Sequence, residues 1–468
     1  MDGGVDTLAI ERAFAVQKAG VEARRTGFGV PERRAALSRL ARAIRREEAA
    51  IVAALRADFG KPEVETILTE ILPVQEEIRH ARRHLRRWAR TRRVAPTLAT
   101  FGTSARIRPE ARGVCLIISP WNYPLNLALA PLVSCLAAGN SAILKPSELT
   151  PATSGLIARM IAETFPPELV TVVEGGKETA QTLLALPFDH IFFTGSPEVG
   201  RVVMAAAART LASVTLELGG KSPSIIAADA DIENAARWIA FGKFANAGQT
   251  CIAPDHVFVH ASVRDRFLQA LRARIAATCT AGARDPRLAR IVSDHHAARL
   301  KSLTADALSK GARLVHDGGA EGRAHGPSLI EAVTPEMAID REEIFGPILP
   351  IIPYEDEAEV IARINARPKP LALYIFGRDR ARTDRIIAAT SSGGVCVNLT
   401  MLHYSHAGLP FGGVNGSGMG AAHGEHGFRA FSHDRAILTN RFSPLPLVFP
   451  PYEGRPQRLV ALLRRIFG

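Results

Sequence analysis

The chain of 468 residues is poor in lysine, has no paired cysteines and lacks long apolar runs. Nine of its 58 basic residues are lysines, and the arginines are spread through the whole length. The formal net charge of +12 therefore reflects a chain-wide arginine bias. A basic balance favours acidic or phosphorylated partners in general, but charge alone does not make a nucleic-acid binder. Five cysteines are an odd count, and none lies in a C-x-x-C pair. That argues against a zinc site or a redox motif, so no metal is expected, and a reducing, cytoplasmic compartment fits. No apolar run reaches 18 residues, so no transmembrane helix is expected. The opening MDGGVDTLAIERAF is acidic and does not read as a signal peptide. Internal repeats and low-complexity segments are missing as well. No G-x-G-x-x-G stands at a strand–helix junction. With 47% hydrophobic and 22% charged residues, the chain can form two to four globular units without disulfide staples.

What is there begins with helices over 7–59. Pro31 suits a first turn, Leu37, Leu40, Ala41, Ile44, Ile51, Val52 and Leu55 recur at helical spacing, and Gly60 stops the run. A second helical pattern starts at Pro62, is expected to kink or break at Pro73, and resumes through Trp88. Its end, IRHARRHLRRWARTRR (78–93), carries eight arginines and two histidines. Ile78, Ala81, Leu85, Trp88 and Ala89 form one apolar stripe, so a surface helix with a solvated basic face is favoured over a nucleic-acid arm. An RNA module would also bring stacking aromatics, and only one tryptophan is here.

From 113 the texture changes. GVCLIIS, SAILK, ELVTVVEG, HIFFTG and VTLELGG are short β-rich runs separated by helical stretches such as LNLALAPLVSCLAAG. This alternation predicts an α/β fold with a parallel sheet covered by helices. A second alternating block spans 222–400, with SPSIIA, HVFVH, LALYIFG and GGVCVN. The segments near 109–114 and after 430 could be strands reaching away from the body. The tail 446–468 ends in a short basic amphipathic helix whose Leu459, Leu462, Leu463 and Ile466 share a face. That face suits packing on a partner subunit or weak contact with an anionic lipid surface.

Several residues could carry chemistry. Cys251 lies among small and polar residues in NAGQTCIAPD; it is either a small buried hydrophobe or a nucleophile that needs activation. Glu217 in TLELGGKSP ends an apolar strand, as a surface carboxylate or as a base with a raised pKa. Asn122 in SPWNYP follows a strand; it either makes a turn or donates to a developing oxyanion. FTGSPEVG places Gly195 and Gly200 at a strand–helix junction suited to phosphate. ILKPSELTP places Lys145 and Glu148 after another strand end, where a carboxylate can bind ribose hydroxyls.

The order and spacing of PWNYP, KPSE, FTGSPEVG, LELGGKSP, NAGQTC, EEIFGP and LPFGGVNGSGMG together resemble the aldehyde dehydrogenase superfamily, from about residue 30 to 433. The short N-terminus, IRHARRHL, NAGQTCIAPD and a tail containing FPPY resemble its class 3 branch. GGVCVN followed by LH and LPFGGV is most similar to bacterial coniferyl aldehyde dehydrogenases.

The resemblance implies the aldehyde dehydrogenase fold: a Rossmann-like dinucleotide-binding domain (1–100 and 113–218), an α/β catalytic domain (219–400) and a small β oligomerisation arm (101–112 and 430–445). It implies NAD as cofactor, with NADP also accepted, and oxidation of an aromatic or medium- to long-chain aldehyde to the acid in a homodimer. Cys251 would attack the carbonyl, and Asn122 with the Cys251 N–H would hold the oxyanion. Glu217 would activate water on the thioester, with Glu343 as a second candidate base. Trp121, Lys145, Glu148, Gly195, Ser196, Gly200, Glu343 and Phe345 would bind cofactor. Tyr123, Asn126, Phe241, Ala245 and Thr250 would line the aldehyde channel, with Ala245 leaving room for an aryl or long alkyl chain. Asn415, Ala422, His256 and Leu399 depart from the branch pattern; none belongs to the catalytic set. The rival readings are acyl transfer to coenzyme A, which the presence of Glu217 opposes, and a non-catalytic binding protein, which an intact Cys251 opposes. No nucleic-acid role is expected.

Overall fold

The computed structural model describes residues 6–467. Helices Thr7–Ala19, Val21–Gly27, Val30–Arg46 and Glu48–Phe59 form the first layer. Leu37, Leu40, Ile44, Ile51 and Leu55 are fully buried, whereas Val52 is half-exposed. Gly60 ends the layer in a left-handed conformation at φ +69°, where a side chain would be strained.

The expected kink at Pro73 takes another form. Helix Glu63–Thr66, a π-helical turn Ile67–Ile71 and helix Leu72–Trp88 follow one another without an intervening loop. The wider turn precedes the proline, which then occupies the first turn of the next segment, where its missing N–H matters least. The arginine stretch lies on this last segment. Its Ile78, Ala81, Leu85 and Trp88 are buried against the core, while arginines such as Arg79 and Arg87 face solvent.

Two sheets carry the body. The first has six strands in the order Gly418–Met419, Ser213–Glu217, His190–Thr194, Val114–Ile118, Ser141–Lys145, Val170–Val172. All are parallel except the first, which runs antiparallel with Gly418 opposite Glu217. Its three central strands are buried at every position, because helices cover both faces and leave no polar side to the pattern. The second sheet orders Arg313–His316, Ser328–Glu331, Ile348–Tyr354, His256–His260, Pro223–Ile226, Ala372–Phe376 and Gly394–Val397, parallel but for the first. Two largely parallel sheets packed with helices are the α/β architecture that the resemblance implies.

A third sheet of three antiparallel strands, Arg92–Val94, Thr103–Ala111 and Ser432–Asn440, stands apart from these. Ser432–Asn440 is an edge strand and mostly exposed. The chain closes with helix Arg455–Phe467, where Leu459 is half-buried and Leu462 exposed; the side chains of Leu463 and Ile466 lie outside the described set. Among the described residues no helix is long and apolar enough to cross a membrane.

Candidate active site

The first sheet delivers its loops to one end. Asn122 follows strand Val114–Ile118, Lys145 ends Ser141–Lys145, Gly195 follows His190–Thr194, and Glu217 ends Ser213–Glu217. In open parallel sheets the carboxyl ends of the strands are where ligands bind. A cleft of about 1100 Å³ opens there, lined among others by Trp121, Asn122, Gly195, Ser196, Glu217 and Cys251, and across from them by Glu343 and Phe345. It exceeds the roughly 300–1,000 Å³ of ordinary small-molecule pockets.

Cys251 stands just past the 3-10 turn Ala245–Gly248. Its thiol is pushed up to about 12, first by burial and then by the carboxylates of Glu343 and Glu217; the N–H groups of Cys251 and Ile252 act the other way. Glu217 is buried, and neither carboxylate oxygen has a hydrogen-bond partner. Desolvation alone holds its pKa well above the usual carboxylate range. Glu343 is pushed up to about 8 by burial and by Asp255, with the Gly220 N–H in partial opposition.

Asn122 is buried and donates through Nδ2 to the carbonyl of Gln249 at 3.0 Å, so its amide is fixed to the loop that carries the thiol. The opposite wall is pinned by Lys221. Its Nζ pairs with Asp255 and donates to the carbonyls of Ile339 at 3.0 Å and Glu342 at 2.8 Å, while Asp255 accepts the Ile344 N–H at 2.9 Å. Four charge-assisted or backbone bonds thus fix the turn that presents Glu343 and Phe345. Trp121 closes the floor, edge-on to Phe345 at 5.3 Å between centroids.

The cleft suits a dinucleotide. Ser196 caps helix Pro197–Thr210, whose N-terminus opens onto it, and Arg201, Lys221, Arg299 and Arg367 add positive charge to the wall. A Cβ on Gly219 would run into the Glu343 carboxylate, so backbone and carboxylate pack closely on this wall of the cleft. Gly200 does not line the cleft. Its open side faces Leu218, and it lets the helix pack closely on the following loop. Lys145 and Glu148 form an ion pair of 2.8 Å outside the cleft lining, with the lysine buried and the glutamate half-exposed.

The profile of the Aldehyde dehydrogenase family matches residues 7–437. The chain belongs to the aldehyde dehydrogenase family. It is 43% identical to the 4,4'-diaponeurosporen-aldehyde dehydrogenase of Staphylococcus aureus, over 97% of this chain and 99% of that one. It is 42% identical to the probable coniferyl aldehyde dehydrogenase of Pseudomonas aeruginosa, covering 89% and 88%. The solved substrate-bound state of Staphylococcus aureus AldH superposes with a TM-score of 0.92 at 42% identity, covering 97% and 99%. Family 3 aldehyde dehydrogenases are at about 41% identity. This chain is accordingly an NAD(P)-dependent aldehyde dehydrogenase.

In this dehydrogenase the five expected channel residues are not part of the large cleft. The Tyr123 hydroxyl is 2.7 Å from that of Thr250, and both are buried. Asn126 donates to the Thr69 carbonyl at 2.9 Å and accepts from the Tyr404 hydroxyl at 3.0 Å, so its amide is taken up inside the protein. Phe241 is 46% exposed and edge-on to Trp238; Ala245 is half-buried at the start of the 3-10 turn before Cys251. Cys251 packs on the core of the second sheet, and Trp238, Leu399, Met401 and Tyr404 pack on that same core. Apart from Leu399, a departure from the branch pattern, no local motif signals them. Asn415 adopts φ +55°, and its Oδ1 accepts from Lys369 Nζ at 2.9 Å, so the departure is accommodated in a left-handed turn. His256 is buried, pushed down to about 4, and its Nδ1 is 3.1 Å from Asp255.

Proposed function

We propose that the enzyme oxidises an apolar aldehyde, either aromatic such as coniferaldehyde or medium- to long-chain, through a covalent intermediate on Cys251. The observation that carries this is the grouping of Cys251, Glu217 and Glu343 at one end of the cleft, with Asn122 tied to the same loop. The Cys251 thiol is protonated at neutral pH, so its proton must leave before the sulfur attacks. Glu343 or Glu217, once ionised, can take it. The C–S bond forms, and charge moves onto the aldehyde oxygen. The second N–H of Asn122 Nδ2 and the Cys251 N–H hold that oxygen. When bound, NAD(P) supplies the hydride acceptor that turns the adduct into a thioester. Glu217, desolvated and unpartnered, removes a proton from water. The water oxygen attacks the thioester carbonyl, the C–S bond breaks, and the acid leaves.

Gly195, Ser196 and the helix behind them would hold the pyrophosphate. Glu343, Phe345 and Trp121 would hold the nicotinamide end, and Lys145 with Glu148 the adenosine ribose. A carboxylate at Glu148 repels a 2′-phosphate, which supports a preference for NAD. Trp238, Leu399, Met401 and Tyr404, apolar residues packed on the same core cluster as Cys251, support an apolar substrate. The names of the 4,4'-diaponeurosporen-aldehyde and coniferyl-aldehyde relatives point the same way. We take 1–100 and 113–218 as the dinucleotide-binding domain, 219–400 as the catalytic domain, and the strands of 101–112 and 430–445 as a dimer arm, supported by the exposed edge of Ser432–Asn440. Five free cysteines suit a cytoplasmic location.

The test is formation of reduced cofactor over coniferaldehyde, benzaldehyde, hexanal and decanal, each with NAD and with NADP, and with and without coenzyme A. Preference for coniferaldehyde or decanal with NAD, and an acid product unaffected by coenzyme A, is expected. No turnover, or a product that requires coenzyme A, contradicts the proposal.

A further inference from the structure

The catalytic loop is held from a direction the chemistry above does not use. Asn246, Ala247 and Gly248 have φ of +52°, +52° and +73°, three consecutive left-handed residues of which two carry side chains that disfavour that state. Such a run persists only where neighbours over-determine it. Within the loop, Asn246 Nδ2 donates to the carbonyls of Asn122 at 2.8 Å and Gln249 at 3.1 Å, and Gln249 Nε2 donates to those of Asn246 at 3.0 Å and Arg290 at 3.1 Å. One tie comes from the helical layer: the Asn246 N–H donates to Glu65 Oε1 at 2.7 Å.

Glu65 belongs to a short charged run under the site. Lys61 Nζ and Glu70 Oε1 are 2.7 Å apart, and both side chains are fully buried. Lys61 also lies 4.0 Å from the centre of the Tyr123 ring, and Glu70 Oε2 accepts the Asn126 N–H at 2.9 Å. One segment, 61–70, therefore grips both the Asn122–Asn126 stretch and the loop leading to Cys251. Because those two stretches supply the two oxyanion donors, their relative placement decides whether the donors converge. We propose that Glu65 is a positioning residue for catalysis, setting the left-handed turn through its bond to the Asn246 N–H. This rests on Cys251 being the nucleophile and Asn122 an oxyanion donor.

The experiment compares Glu65→Ala, Glu65→Gln and Glu65→Asp for kcat, aldehyde KM and melting temperature, with Cys251→Ala and the exposed neighbour Glu63→Ala alongside. Glu65→Ala should lower kcat by roughly 10- to 100-fold, the scale of a displaced reacting group, with KM changed by less than about threefold. Glu65→Gln keeps an oxygen acceptor in place and should restore kcat to within about fivefold of the parent. Glu65→Asp is one methylene too short and should lose kcat as Ala does, which keeps the test open if the Ala variant does not fold. Glu63→Ala should behave as the parent. A normal kcat in Glu65→Ala with only a lower melting temperature, or Gln no better than Asp, overturns the inference. Normal turnover in Cys251→Ala instead removes the reading beneath it, so the two failures are distinct.

Discussion

The side-chain amide of Asn122 and the carbonyl of Gln249 are joined by a 3.0 Å hydrogen bond, two residues before the nucleophile candidate Cys251. One N–H of that amide is spent on the loop, and the other is the proposed oxyanion donor. Asn122→Ala removes both. Loss of one oxyanion donor costs about 10²–10³ in kcat, so a fall of at least that size is expected at saturating aldehyde, with cofactor affinity little changed. Steady-state kinetics check it.

The Cys251 thiol offers a second handle. Burial and two carboxylates hold it at about 12, far above a free thiol. Only the thiolate alkylates. The rate of iodoacetamide modification of the ligand-free enzyme should therefore rise about tenfold per pH unit from 7 to 10 without levelling, as followed by peptide mass. A plateau near pH 8.5 would mark an ordinary exposed cysteine.

Burying Glu217 without a partner costs stability. Its folded pKa is raised above the unfolded value by burial, so its contribution is favourable below about 4.5 and is lost as pH rises, when only the unfolded chain ionises freely. Glu217→Gln should stabilise the fold at pH 8 by about 1 kcal/mol, seen as a higher melting temperature, and the gain should shrink toward pH 4.5. Thermal melts across pH check the sign.

Gly219 and Glu343 leave no room between them for a methyl group. Gly219→Ala must displace the carboxylate proposed to hold the nicotinamide ribose. The expected result is a rise in the cofactor KM of about tenfold or more, the equivalent of one lost charged hydrogen bond, with a smaller effect on stability.

Much of this was legible in the chain. Strands such as His190–Thr194 and Val114–Ile118 read directly as apolar runs because both their faces are covered. The motifs around Asn122, Glu217 and Cys251 place those residues at strand ends or in small-residue loops, and the fold brings them to one cleft. Other features were hidden for physical reasons. Strand Ile348–Tyr354 is paired on both sides yet carries Pro350 and Pro353, which argue locally against a central strand. The π-turn before Pro73 converts an expected kink into continuous helix. Gly200 looks like a phosphate glycine in its motif, but tertiary packing turns it toward Leu218. Tyr404 and Trp238 share a core cluster with Cys251 only through long-range packing, which no spacing in the sequence encodes.

The most direct test of the covalent account is the intact and peptide mass of Glu217→Gln mixed with decanal or coniferaldehyde and NAD, quenched in the first turnover. With water activation removed, an acyl group of the aldehyde's own mass less one hydride should accumulate on the peptide containing Cys251, while overall turnover falls by about 10²–10⁴. Absence of any adduct on that peptide, with both aldehydes oxidised at the parent rate, would contradict the account.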